Sequence, residues 1–257
     1  MKKIGYVLSG GGARGFAHLG VIKLLEELGI RPHAIAGASM GAVAGALYAA
    51  GKKPEEIMEL LNKNKYLGWS TISWQKAGFF SMDVLRKILT DALPENNFDA
   101  LPVKLFVSAT DIIKGETVMF SSGNLIEALI ASSSIPVIFE PLKFAGKVLV
   151  DGGVLNNFPL EPLTNICDVV IGSHVNKIEK GINRHSLFKT FDVMDRCFHL
   201  AVAQSVYTKV NNCDVFIEPA LEKYGMNDVK KADEIFKAGY TAALDHKIKL
   251  MEFAAQQ

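Results

Sequence analysis

The stretch Ala34-Ile35-Ala36-Gly37-Ala38-Ser39-Met40-Gly41 predicts a short strand, a sharp turn at Ser39 and the start of a helix. The small apolar residues at its start suit a buried strand, and the alanine- and glycine-rich residues up to Gly51 suit a closely packed helix. Gly37 and Gly41 flank the serine in the pattern G-x-S-x-G, in which a strained strand-to-helix turn makes the serine hydroxyl project from the sheet edge. Ser39 is therefore a candidate nucleophile, and the N–H of Met40 is a candidate donor to an oxyanion. The alternative is a serine that only caps a helix.

A glycine-rich loop lies one strand earlier in the chain. The apolar run Ile4–Leu8 predicts a buried strand, and the loop Gly10-Gly11-Gly12-Ala13-Arg14-Gly15 follows it before the next helix. Its pattern G-x-G-x-x-G is that of a dinucleotide-binding loop, but no acidic residue ends the second strand, where one would hold the ribose. Since neighbouring parallel strands end at the same edge of a sheet, the loop amides are also placed to form an oxyanion hole beside Ser39. A turn with no ligand is the third interpretation.

Strands and helices alternate along the rest of the chain. Continuous apolar strands are predicted at 103–109, 117–120, 148–150, 169–172 and 215–217, with helices between many of them. Such alternation is typical of an α/β fold with a mostly parallel central sheet and helices on both faces. No linker or repeat divides the 257 residues, so we expect a single domain over residues 1–257.

A serine nucleophile needs a base, and two candidates stay open. His174, just after a predicted strand, is the best placed of the six histidines for a Ser–acid–His order. Asp151 ends the predicted strand 148–150 and is followed by Gly152 and Gly153, which suits a close backbone approach at the same C-terminal edge of the sheet. The alternative for Asp151 is an acid that caps an ordinary turn.

The composition excludes some classes of function. The chain has 28 Lys and Arg against 27 Asp and Glu, a net charge of +1, whereas nucleic-acid binders and polybasic lipid anchors carry an excess of cations. The apolar content is 49%, but the uncharged run from Ala34 to Gly51 is rich in Gly, Ala and Ser and is interrupted at Ser39, so we expect no spanning helix. With no signal-peptide pattern at the N-terminus and three widely spaced cysteines, the sequence predicts a cytoplasmic protein.

Four blocks, taken in order, give the chain a resemblance to bacterial members of the patatin-like phospholipase family. The blocks are the loop Gly10–Gly15, the turn Gly37–Gly41, Ser132-Ser133-Ser134-Ile135-Pro136, and Asp151-Gly152-Gly153 with Asn156-Asn157-Phe158-Pro159. All of them lie within residues 1–160, and residues 161–257 carry no matching motif. One departure is Gly153, where many relatives have alanine.

The resemblance implies a three-layer α/β sandwich with a catalytic dyad, in which Ser39 is the nucleophile and Asp151 is the base. It also implies that the amides of Gly11 and Gly12 form the oxyanion hole, that Arg14 supports the loop or nearby negative charge, and that no catalytic histidine, metal or cofactor is needed. The supporting glycines of the motifs are Gly10, Gly15, Gly37, Gly41, Gly152 and Gly153.

The activity that the resemblance implies is hydrolysis of lipid esters through an acyl-enzyme. Two alternatives come from other classes of protein. One is a nucleotide-binding protein that uses residues 10–15, and the other is a non-catalytic or regulatory protein on the same scaffold. We expect a lipid ester as the substrate and no nucleic acid as a partner.

Two further segments carry expectations. Ser132, Ser133 and Ser134 are rival nucleophiles by composition, but their place at a predicted helix end before Pro136 favours capping and hydrogen bonds within the loop. The segment from Tyr66 to Phe80 holds both tryptophans of the chain. It is either a covering loop or a mobile cap that lines an acyl-chain groove and touches a membrane surface.

Overall fold

The computed structural model describes residues 1–63, 82–178 and 190–256, so the expected cap from Tyr66 to Phe80 lies outside the described residues. Within them, eight strands form one mixed sheet. The strands are β1 Ile4–Leu8, β2 Ala34–Ala38, β3 Lys104–Asp111, β4 Glu116–Phe120, β5 Leu142–Phe144, β6 Lys147–Asp151, β7 Val169–Ser173 and β8 Val215–Ile217. Five of them run parallel in the order β3-β2-β1-β7-β8. β4 and β6 each pair antiparallel with β3, and β5 pairs antiparallel with β6. The predicted mostly parallel sheet is confirmed, whereas the short strand β5 was not predicted.

Helices cover both faces of the sheet, as predicted. The helices in the described ranges are α1 Phe16–Glu27, α2 Ser39–Ala49, α3 Pro54–Lys63, α4 Met82–Ala92, α5 Leu125–Ser132, α6 Gly153–Asn156, α7 Glu161–Thr164, α8 Thr190–Tyr207, α9 Ala232–Leu244 and α10 Lys247–Ala254. Alternate strand residues point to opposite faces. On β1, Tyr6 and Leu8 pack into the larger core, while Val7 packs into a second core with Leu163 of α7 and Val206 of α8. None of the helices formed by the described residues combines the length and the apolar character needed to cross a bilayer.

The pairing of β3 explains how the two motif-bearing turns come together. β4 pairs with residues 107–111 of β3, β2 pairs with residues 104–108, and β6 pairs with residues 109–111. A strand has two edges, and β4 overlaps both other strands, so β4 occupies one edge of β3 while β2 and β6 share the other. These two strands run toward each other and end at Ala38 and Asp151, which pair with the consecutive residues Ser108 and Ala109.

Asp151 therefore reaches the C-terminal edge of the parallel strands, but from the direction opposite to a parallel strand. β6 is antiparallel to β3 and enters from beyond the sheet edge. This path exists because β3 continues to Asp111, three residues past the position where β2 ends. The head-to-head meeting of β2 and β6 brings the residue after Ala38 close to Asp151.

Candidate active site

Ser39 occupies the strained turn that its motif predicts. Its φ is 51°, a left-handed value that is uncommon for a residue with a side chain. A Cβ on Gly37 would lie 2.7 Å from the backbone nitrogen of Ala42, and a Cβ on Gly41 would lie 2.4 Å from the carbonyl oxygen of Leu8. The strand and the helix pass too closely for any side chain at these two positions. The strained turn is thus confirmed, and the chemical role of Ser39 stays a prediction.

Asp151 is a buried carboxylate that contacts the side chain of Ser39. It interacts with the Ser39 hydroxyl, which stabilises the ionised carboxylate, and it accepts a hydrogen bond at 2.7 Å from the backbone N–H of Gly153. Ser39 and Asp151 are each only 5% exposed. Burial raises the pKa of Asp151 from 3.8 to about 6, while the Ser39 hydroxyl and the N–H of Gly153 act in the opposite direction. Asp151 is therefore ionised at neutral pH and is a stronger base than a solvated aspartate.

The two glycines after Asp151 allow close packing around its carboxylate. A Cβ on Gly152 would lie 2.1 Å from the carbonyl oxygen of Ser108, so the chain passes directly against β3. A Cβ on Gly153 would lie 2.8 Å from Oδ1 of Asn157 and 2.9 Å from Oδ1 of Asp151. The absence of a side chain at Gly153 thus lets Asn157 lie beside Asp151, which an alanine would disturb.

The serine-rich block holds both motif-bearing turns in place. The backbone N–H of Ser39 donates to Oγ of Ser132 at 2.8 Å. The carbonyl of Ser132 accepts from the N–H of Gly152 at 3.3 Å, and the carbonyl of Ser134 accepts from the N–H of Asp151 at 2.9 Å. The expected hydrogen-bonding role of this block is confirmed. Its partners could not be identified from the sequence, because no local pattern links Ser132 to a turn 93 residues earlier.

Replacing Ser132 with alanine should lower kcat about tenfold with little change in KM. The variant leaves the buried N–H of Ser39 without its acceptor, and a lost hydrogen bond of this kind costs ~1–3 kcal/mol. Steady-state kinetics on a soluble ester measures the effect. Ser134→Ala is the matched control, because that equally buried hydroxyl donates to the carbonyl of Ile130 and not to the site. Equal losses in the two variants would contradict a positioning role for Ser132.

Some backbone N–H groups of the glycine loop donate hydrogen bonds to other parts of the described chain, and two of them do not. The N–H of Gly10 donates to Oδ1 of Asn157 at 3.1 Å, and the N–H of Ala13 donates to the carbonyl of Met226 at 2.8 Å. The N–H groups of Gly11 and Gly12, in contrast, donate to no atom of the residues that the structure describes. β2 ends at Ala38 with no acidic residue to hold a ribose, so the structure does not support the dinucleotide interpretation.

Neighbouring groups complete the surroundings of the loop. Met40 lies in the first turn of α2, where N–H groups have no partner within the helix. Gly15 makes room for Met40, since a Cβ there would lie 2.4 Å from Cγ of that side chain. Arg14 donates from Nε to the carbonyl of Tyr224 at 2.8 Å, which ties the loop to the segment before α9. This contact supports the loop, one of the two roles expected for Arg14.

The buried histidines take structural positions. Nδ1 of His174 lies 2.9 Å from a carboxylate oxygen of Glu218, and its ring is surrounded by aromatic rings. His174 does not line the cavity at Ser39, so the structure does not place it as the base of a triad. His18 bridges Oγ of Ser173 and the carbonyl of Ser9, each at 2.8 Å, and burial lowers its pKa to about 4. It is therefore neutral and braces the start of the glycine loop.

A small cavity of about 30 Å³ lies at Ser39 and Asp151. Its other lining residues come from the glycine loop, from the serine-rich block, from the segments after β6 and β7, and from the C-terminal third: Gly10, Gly11, Gly12, Ile135, Gly153, Asn157, Asn176, His199, Val202 and Met226. This volume is large enough to hold a water molecule.

The fold and the site define a class of α/β proteins in which a serine on a strained strand-to-helix turn faces a buried aspartate. The family model described as patatin-like phospholipase matches residues 6–164, more than half of the chain. The chain belongs to the patatin-like phospholipase family. The resemblance found in the four sequence blocks is thereby confirmed.

Similar proteins include longer ones from bacteria and fungi. An NTE family protein of Mycobacterium tuberculosis is 34% identical over 182 residues, which cover 70% of this chain and 51% of that protein. Lysophospholipase NTE1 of Kluyveromyces lactis is 25% identical over 284 residues, which cover 98% of this chain and 20% of that protein. The chain thus spans about half the length of the mycobacterial relative that it matches and a smaller part of the fungal one.

A solved structure with a similar fold is VipD from Legionella pneumophila. It superposes with a TM-score of 0.56 at 15% identity and covers 98% of this chain and 67% of that one. At this identity the likeness extends to the fold alone. It includes residues beyond 164, which the family model does not match.

Proposed function

We propose that this protein is a serine acyl hydrolase that cleaves carboxylic esters of lipids with a Ser39–Asp151 dyad. The observation that carries the proposal is that the strained Ser39 and the buried Asp151 lie together in one cavity, at the point where β2 and β6 meet, with the Ser39 hydroxyl stabilising the carboxylate. A hydroxyl held against a carboxylate with a pKa of about 6 is the pairing that nucleophilic catalysis requires.

In the acylation step, Oγ of Ser39 attacks the ester carbonyl carbon while its proton passes to Asp151. The developing oxyanion accepts hydrogen bonds from the free N–H groups of Gly11 and Gly12 and from Met40. One such donor contributes about 3–4 kcal/mol to the stability of the transition state. When the intermediate collapses, the ester C–O bond breaks and the leaving alkoxide takes the proton from Asp151. One carboxyl group thus acts first as base and then as acid, with no histidine.

In the second step, water hydrolyses the acyl-enzyme. Asp151 removes a proton from the water as its oxygen attacks the acyl carbon, and the bond to Oγ of Ser39 breaks. Asp151 then returns the proton to Ser39, which releases a carboxylic acid and restores the dyad. Both steps need an ionised Asp151, so activity should rise with pH through about 6 and level off above it.

The substrate class follows from the family and from its fungal relatives, of which several are lysophospholipases. We therefore propose a lysophospholipid or a related lipid ester. A single domain over residues 1–257, a cytoplasmic location and contact with a membrane surface through Tyr66 to Phe80 stay parts of this proposal. A non-catalytic protein is disfavoured because both dyad residues and the free amides are present together.

A labelled fluorophosphonate probe tests the proposed nucleophile. We expect one labelled peptide that contains Ser39, and we expect fatty acid release from a panel of lysophospholipids, phospholipids and monoacylglycerols. Ser39→Ala should lose both signals while it keeps the wild-type circular dichroism spectrum. Label on another serine, or equal release of fatty acid by Ser39→Ala, would overturn the proposal. A nucleotide-dependent thermal shift without labelling would favour the nucleotide-binding alternative.

A further inference from the structure

Two asparagine side chains clamp the first glycine of the loop from opposite sides. The N–H of Gly10 donates to Oδ1 of Asn157 at 3.1 Å, and Nδ2 of Asn176 donates to the carbonyl of Gly10 at 2.6 Å. An N–H needs an acceptor and a carbonyl needs a donor, so these two bonds fix the orientation of both side-chain amides.

The other end of each amide is buried and has no partner among the described residues. These ends are Nδ2 of Asn157, a donor, and Oδ1 of Asn176, an acceptor. Asn157 is 3% exposed and Asn176 is 5% exposed. A buried polar atom without a hydrogen bond costs ~1–3 kcal/mol, so a pair of them in one place indicates a ligand.

Both asparagines line the cavity that also holds Ser39 and Asp151. The cavity of about 30 Å³ has room for a water molecule, and a buried water typically makes about three hydrogen bonds. The Asn157 amide nitrogen can donate to such a water, while Oδ1 of Asn176 and the Asp151 carboxylate can accept from it. Asn157 also lies beside Asp151, because both Oδ1 atoms approach Gly153 within 3 Å of where its Cβ would be.

We propose that Asn157 and Asn176 hold the water molecule that hydrolyses the acyl-enzyme. This inference rests on the proposed function. The water gives one proton to Asp151 and points its second hydrogen at Oδ1 of Asn176, while Nδ2 of Asn157 fixes the position of its oxygen. The water oxygen bonds to the acyl carbon, the bond to Oγ of Ser39 breaks, and Oγ takes the proton from Asp151. The asparagines therefore act in deacylation and not in acylation.

Asn157→Leu tests the proposal, because leucine has the same branched shape and no hydrogen bonds. The N–H of Gly10 keeps a second acceptor in this variant, the backbone carbonyl of residue 157 at 3.3 Å. With a p-nitrophenyl ester of a short fatty acid, we expect the burst of nitrophenol to change less than threefold. Steady-state turnover should fall about tenfold, as expected for the loss of such a hydrogen bond at the reacting water.

Two further measurements separate a role in deacylation from a structural defect. Intact mass spectrometry during turnover should find acyl-Ser39 accumulated in Asn157→Leu and in Asn176→Leu. Hydroxylamine, a strong nucleophile that does not need the water site, should restore turnover of both variants. The matched control is Asn156→Leu, since that neighbouring side chain contacts Glu161 and Lys209 and does not line the cavity.

The outcomes distinguish this inference from the proposed function. Absence of both fluorophosphonate labelling at Ser39 and fatty acid release in the wild-type protein would mean that the proposed function has failed. A wild-type burst, combined with equal losses of burst and steady-state rate in Asn157→Leu, would overturn the water site alone. The water site is also overturned if hydroxylamine has no effect on the slow variants, or if Asn156→Leu accumulates the same acyl adduct.

Discussion

Asp151→Asn is expected to abolish ester hydrolysis and, at the same time, to make the folded protein more stable at pH 8. The activity is lost because asparagine cannot take the proton of Ser39. Removal of a general base lowers the rate by about 10²- to 10⁴-fold. The side chain keeps its shape, so its Oδ1 can still accept from the N–H of Gly153 as the carboxylate does at 2.7 Å.

The gain in stability follows from the raised pKa of Asp151. In the folded protein burial raises this pKa from 3.8 to about 6, so the folded state binds a proton more tightly than the unfolded state. The contribution of Asp151 to the free energy of unfolding is therefore most favourable below pH 4, becomes less favourable as the pH rises, and is least favourable above about pH 6. At about 1.4 kcal/mol for each pKa unit, the buried charge lowers the stability at pH 8 by about 3 kcal/mol.

Thermal or urea unfolding at a series of pH values measures the effect. The difference in stability between Asp151→Asn and the wild-type protein should grow from pH 4 to pH 6 and stay constant above it. Ser39→Ala serves as the comparison, since it also removes activity but leaves the buried carboxylate in place. If both inactive variants have the wild-type pH dependence of stability, Asp151 does not have the raised pKa that is proposed for the base.

Gly239→Ala is expected to lower the melting temperature by about 5–10 °C. A Cβ on Gly239 of α9 would lie only 2.0 Å from the carbonyl oxygen of Ala17 in α1, and a Cβ on Gly20 of α1 would lie 2.0 Å from the carbonyl oxygen of Phe236 in α9. The two helix backbones thus touch at these glycines. Alanine in a helix would ordinarily stabilise it by ~1 kcal/mol, but overpacking against backbone costs ~1–3 kcal/mol or more. A loss of about 3 kcal/mol corresponds to this fall in melting temperature for a domain of this size.

Differential scanning calorimetry of Gly239→Ala, with Thr241→Ala as the control, tests this packing. Thr241 is an exposed residue of the same helix, so its replacement should leave the melting temperature within about 2 °C of wild type. The experiment also addresses our proposal that residues 161–257 belong to one domain with the motif-bearing core. Two separate melting transitions, of which the substitution moves only one, would argue against a single domain.

Local patterns in the sequence predict the parts of the site that depend on neighbouring residues. The G-x-S-x-G motif predicts the turn at Ser39 because steric crowding within a few residues requires the flanking glycines. The apolar strands predict the parallel sheet for a similar reason, since burial on both faces leaves a continuous apolar run. The position of Asp151 was only partly predicted, because the direction of β6 depends on the hairpin that extends β3 beyond β2.

The contacts that the sequence did not indicate join distant parts of the chain. Ser132 binds the backbone of Ser39, and Asn176 binds Gly10 across 166 residues. Met226 and Val202 line the cavity, and both lie in segments without a recognisable motif. A serine or an asparagine has many ordinary uses in loops, so its type alone does not reveal a partner.

The sequence by itself thus determined the fold class and the turn at Ser39, because each depends on a short pattern with a local steric or chemical cause. The family came from the order of four motif blocks, and Asp151 was preferred to His174 as the base only because that resemblance implies it. Only the tertiary structure decided how these residues meet, which amides remain free, and which side chains surround Ser39. The physical reason is that strand pairing, and not the order of residues along the chain, places β2 and β6 end to end on one edge of β3. Two chain segments more than 100 residues apart therefore end at adjacent positions, and no pattern along the chain encodes that meeting.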